Sequence, residues 1–141
     1  GRTTRVVHGD STSVDLDGSF DAIVTSPPYP GLIDYHEQHR YAYELLSLEA
    51  RRSVELGAAA NGTSARALTE YVGGIAAVLE HARKSLRARA PVVIVVHDRR
   101  ELFPQILDRA GLRLEDRLRR HVNRRTGRRA GEFFEDVLIA R

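Results

Sequence analysis

The chain has 141 residues, no cysteine, and 22 basic against 19 acidic residues, a formal charge of +3. That length suits one domain. The missing cysteines exclude disulfides and thiolate metal sites, and no apolar run approaches the ~18 residues that a membrane span needs. No signal peptide is visible, so a cytoplasmic protein is expected. Lys84 is the only lysine; arginine supplies nearly all the positive charge, and its planar fork suits phosphates and base edges.

In chain order, Arg5 to His8 reads as a short strand ended by the turn signal Gly9-Asp10-Ser11. Residues 20–25 read as a second strand. It runs straight into Thr25-Ser26-Pro27-Pro28-Tyr29. Two prolines fix φ and remove two N–H donors, and each pushes its predecessor out of the helical region. The turn is therefore stiff, with carbonyls free to accept. A polar residue, two prolines and an aromatic pack poorly but hold a planar nitrogenous ring well. The alternative is a proline-stiffened turn around a buried tyrosine.

Residues 31–63 read as a helical insertion. Tyr35, His39, Ala42, Tyr43 and Leu46 recur at three- and four-residue spacing, which predicts an amphipathic helix. Residues 57–64 read as a loop in which Thr63 or Ser64 caps the next helix. Residues 64–111 then give helix, strand, helix. Leu68, Tyr71, Val72, Ile75, Val78, Leu79, Ala82 and Leu86 form the clearest apolar stripe, with Gly73-Gly74 as a weak point. Pro91 to Val96 is a continuous apolar run, the mark of a central strand buried on both faces. Arg100 to Ala110 predicts a helix closed by Gly111.

Residues 112–122 and 132–140 read as an antiparallel hairpin around a basic loop. Arg117, Arg119, Arg120, Arg124, Arg125, Arg128 and Arg129 fall in a stretch without acids. This predicts contact with nucleic-acid phosphates; a solvated basic edge is the plainer alternative. Asn123 in that loop reads a base edge or simply turns the chain. Tyr35 and Arg40 either face a bound strand or pack, and His39 either contacts the nucleic acid or lies on a plain helix surface. His36, Glu37 and His39 lack a second ligand pair, so no metal is expected. Asp98 in His97-Asp98-Arg99 has two readings: it orders a loop or a bound cofactor, or it caps the following helix.

Ser26-Pro27-Pro28-Tyr29 after its strand, Val7-His8-Gly9-Asp10 before it, the buried strand Val92 to Asp98 and the hairpin opening Glu132-Phe133-Phe134 together resemble the amino-methyltransferases of DNA. These use S-adenosylmethionine to methylate cytosine N4 or adenine N6, often within restriction-modification systems. The resemblance spans nearly the whole chain. It implies an α/β fold: the second half of a Rossmann-like methyltransferase sheet. Residues 1–30 would carry the cofactor-adenine turn and the catalytic strand, 31–63 a helical insertion, 64–111 helix-strand-helix, and 112–141 the closing hairpin.

Under that resemblance Ser26, Pro27, Pro28 and Tyr29 are catalytic. The Ser26 hydroxyl and the Pro27 carbonyl would accept the two amine hydrogens, and Tyr29 would stack on a base flipped out of the duplex. Asp10, Ser11 and Thr25 would contact the cofactor. A serine before the prolines leans toward cytosine. The chain departs from the family in having no Gly-x-Gly, the turn that holds the methionine end of the cofactor, and in lacking the strands that carry it. A complementary chain or segment is therefore an expected partner alongside DNA. RNA or protein-amide methylation, and a non-catalytic nucleic-acid-binding subunit, remain the alternatives.

Overall fold

In a computed structural model, the structure describes residues 4–31, 34–49, 55–58, 61–122 and 132–141. Among these residues four strands and four helices follow in the order β1 (Ile23–Thr25), α1 (Tyr35–Gln38), α2 (Arg40–Leu45), α3 (Ala65–Arg83), β2 (Val92–Val96), α4 (Phe103–Arg109), β3 (Leu114–His121) and β4 (Phe134–Ala140). The strands form one mixed sheet in the order β1-β2-β4-β3. β1 runs parallel to β2, with Ile23 opposite Val92 and Thr25 opposite Ile94. β4 lies antiparallel to both β2 and β3.

The continuous apolar run of β2 sits in the sheet interior, and its alternate residues Val92, Ile94 and Val96 are fully buried. They join Leu138 and Ala140 of β4 under a layer made by Tyr71, Val72, Ile75 and Leu79 of α3 and Phe103, Ile106 and Leu107 of α4. One face of the sheet is thus covered by both long helices. The opposite face carries Val93, Val95, Val137 and Ile139, which are only half-buried, and Val24, which is 76 % exposed. Among the described residues no helix buries a side chain there, since α1 and α2 bury none at all.

α3 starts where Ser64 accepts a hydrogen bond from the Ala67 N–H, the usual way to satisfy a free helical donor. The Gly-Gly pair inside it does not break the helix. A Cβ at Gly74 would come within 2.5 Å of Leu56, so that glycine lets the loop before α3 lie close against it. α4 is capped by Asp98, whose carboxylate oxygens accept from the Leu102 and Phe103 N–H groups at 2.9 Å each; of its two expected roles, Asp98 takes the cap.

Three elements differ from expectation. Residues 5–8 are exposed and form no strand, pairing with no strand among the described residues. The helix expected after the diproline corner breaks at His39 into two short pieces with no buried residue; of its apolar stripe, Leu46 is 64 % and Tyr35 39 % exposed. The helix expected from Arg100 begins only at Phe103, where the Asp98 cap sets its start.

Candidate active site

β1 ends at Thr25, so Ser26 to Tyr29 lie beyond the carboxyl ends of the two parallel strands, where open α/β sheets place their ligands. Three hydrogen bonds fix this corner. The Ser26 hydroxyl donates to the Val95 carbonyl of β2 at 3.0 Å. The Tyr71 hydroxyl, from α3, donates to the Pro28 carbonyl at 2.8 Å. The Tyr29 hydroxyl donates to the Glu135 carboxylate of β4 at 2.9 Å. The corner is therefore clamped to three elements that are distant in sequence.

These bonds decide what the corner can offer. With its only hydrogen given to Val95, the exposed Ser26 oxygen keeps lone pairs for an incoming N–H. Pro27 is buried, and the Tyr71 bond engages the carbonyl of Pro28 rather than its own. Tyr29 is half-buried, not sealed in the core. With Pro30 it bounds a cavity of about 180 Å³ whose other walls include Thr63, Tyr71, His97, Arg100 and Phe103. A cavity of roughly 150 Å³ suffices for one benzene ring, so a single planar ring fits. Ser26 and Pro27 lie outside this wall. Gly57, with φ of 73°, allows the preceding loop to pack beside Tyr71; a Cβ there would approach the Tyr71 ring to 3.0 Å.

The electrostatics keep the corner in one protonation state at neutral pH. Burial, then the hydrogen bond to Glu135, pushes the Tyr29 phenol up to about 12, so it remains a neutral donor. Burial acts to raise the Glu135 pKa, but hydrogen bonds from Arg120 and Tyr29 outweigh it and hold the carboxyl below its ordinary value. Burial also pushes the Tyr71 phenol up. His97 stacks on Phe133, with ring centres 4.2 Å apart, and lies 6.1 Å from Tyr29.

The other sequence-derived candidates are scattered. Asp10 is exposed and closes its own turn, accepting from the Thr12 N–H and hydroxyl at 2.8 and 2.7 Å; these bonds hold its carboxyl below the usual range. That turn is tied to α3 through His81, which contacts the Val14 carbonyl at 2.7 Å. His81 lies ten residues beyond Tyr71, about 15 Å along the helix at ~1.5 Å per residue. Asp10 and Ser11 are thus not gathered at the corner, while Thr25 adjoins it on β1. Tyr35 opens α1 and His39 caps it, both exposed. Arg119 and Arg120 lie on β3 rather than in a loop and already pair with Asp136 and Glu135. Arg124, Arg125, Arg128, Arg129 and Asn123 lie outside the described residues. Among the described residues no cluster of three metal-ligating side chains occurs.

The residues present are a poor fit to S-adenosylmethionine. No Gly-x-Gly occurs in the sequence, and Asp10 stands apart from the corner. Sequence reasoning missed Glu135 and the Tyr71 hydroxyl. Neither carries a local signal, because their partners lie 106 and 43 residues away.

A mixed α/β sheet with a diproline corner at the ends of its parallel strands fits a methyltransferase-like fold. The chain is 36 % identical over 147 aligned residues to the Type II methyltransferase M.MjaII of Methanocaldococcus jannaschii. The alignment takes in 94 % of this chain but only 28 % of that protein, so the chain spans little more than a quarter of its relative. No protein-family model and no solved structure matches it.

Proposed function

We propose that this chain is the acceptor-binding part of an S-adenosylmethionine-dependent DNA methyltransferase that acts on the exocyclic amine of an extruded cytosine (N4) or adenine (N6). The observation that carries this reading is the clamped corner: an exposed Ser26 oxygen whose hydrogen is already spent, next to a half-buried Tyr29 that walls a ring-sized cavity. Tyr29 stacks on the base, an interaction worth roughly 1–3 kcal/mol. Ser26 and the Pro27 carbonyl accept the amine hydrogens and so orient the nitrogen lone pair, which otherwise delocalises into the ring. This is positioning of a weak nucleophile rather than covalent catalysis. Arg119 and Arg120, with Arg124, Arg125, Arg128 and Arg129, contact phosphates, exchanging carboxylate partners where needed.

S-adenosylmethionine supplies the electrophilic methyl group when bound. Its binding falls mainly to a complementary segment or chain, which also covers the open β1 edge and the uncovered sheet face. The size of the relative leaves room for such a segment. Asp10, Ser11 and Thr25 join that site only once the segment is in place. The test is a panel of acceptors, DNA, RNA and protein, offered to the full-length protein with radiolabelled S-adenosylmethionine, followed by nucleoside analysis. N4-methylcytosine or N6-methyladenine in DNA is expected; label in RNA or protein alone overturns the reading. Salt-dependent DNA binding with no methyl transfer points instead to a non-catalytic binding subunit.

A further inference from the structure

We propose that Glu135 is a positioning residue: held by Arg120, it fixes the Tyr29 ring in the orientation that receives a base. The inference rests on the reading of Tyr29 as a stacking wall. Each carboxylate oxygen has its own partner. Oε1 accepts the Tyr29 hydroxyl at 2.9 Å, while Oε2 accepts the Arg120 Nε and Nη2 at 3.0 and 2.6 Å. The Glu135 side chain is only 13 % exposed, so water does not readily replace a lost partner.

The bond joins the corner after the first strand to the last strand of the sheet. It leaves the Tyr29 ring one orientation instead of a set of rotamers, and a ring ordered before the base arrives loses less freedom on binding. Arg120 in turn anchors the carboxylate through two N–H donors that converge on Oε2. Because Arg120 belongs to the strand that leads into the arginine-rich segment, the basic hairpin and the stacking ring share one hydrogen-bonded unit.

A rival role for Glu135 is simply to pin β3 to β4 through Arg120. The two roles separate in a double-mutant cycle on the full-length protein with Glu135→Gln and Tyr29→Phe. Glutamine offers one acceptor oxygen where two donors need serving, and phenylalanine keeps the ring but drops the tether. Each single variant is expected to lower kcat/KM for DNA methylation about tenfold, mainly through KM. The double variant is expected to be no worse than either single. If the two losses multiply, Glu135 acts through the hairpin and the proposal is overturned. A second readout does not depend on activity: the ring carbon-13 resonance of Tyr29 in tyrosine-labelled protein, assigned with Tyr29→Phe. Glu135→Gln is expected to shift it and lower its titration midpoint; an unmoved resonance overturns the clamp. A wild-type protein inert toward nucleic acid would sink the functional reading, while this resonance still decides whether Glu135 holds Tyr29.

Discussion

Tyr71 is a core side chain with a polar end, and that end serves the site. Its ring is 2 % exposed within the apolar layer, while its hydroxyl holds the Pro28 carbonyl. Tyr71→Phe should keep the packing but strand a carbonyl, lowering stability by about 1–2 kcal/mol and slowing methyl transfer by loosening the corner. Denaturant unfolding and initial rates check both; equal stability in variant and wild type would mean that the hydroxyl bond does no work. At this scale the sequence shows what is covalently close. Ser26, Pro27, Pro28 and Tyr29 announce a stiff corner because proline acts on its own neighbours. Tyr71 is legible as part of a helical stripe, but not as the partner of Pro28, because no periodicity encodes a contact 43 residues away.

The β3–β4 hairpin is held by charge as well as by its ladder. Asp136 is 5 % exposed and accepts from Arg117 at 2.7 Å and Arg119 at 3.1 Å, while Arg117 also grips Glu101. Burial raises the Asp136 pKa, but the bonds from Arg117 and Arg119 outweigh it and leave the group below its ordinary value. A depressed folded-state pKa stabilises the fold fully above the unfolded-state value of about 3.9, and that contribution is lost as pH falls through the folded value. Thermal midpoints should therefore drop as the pH falls below about 4, and Asp136→Asn, less stable at neutral pH, should show a shallower acid dependence. An unchanged slope in the variant would remove Asp136 from the account. Among elements, β2 and α3 were legible because their burial imposes a clear pattern. The expected strand at residues 5–8 and the single helix after the corner did not form: among the described residues the first pairs with no strand and the second buries no side chain.

At the scale of the molecule, and among the described residues, helices pack on one sheet face and not on the other. Parallel strands are ordinarily covered on both faces, and the half-buried row Val93, Val95, Val137 and Ile139 with the exposed edge residue Val24 is the uncovered side. The α/β class and the order of the main elements were readable from the alternation of strand and helix patterns. The one-sided covering was not, because a strand's own sequence does not reveal which neighbours exist. Calorimetry on the chain by itself should show no submicromolar affinity for S-adenosylmethionine; tight binding would show that the cofactor site is complete without a complement.

The central claim is that the corner at residues 26–29 grips an extruded base and presents its amine. Single-turnover methyl transfer to DNA by the full-length protein, compared with its Tyr29→Ala and Pro27→Ala variants, tests it most directly. Each variant should transfer methyl groups at least about tenfold more slowly while still folding and unfolding cooperatively. Wild-type rates in either folded variant would contradict the claim.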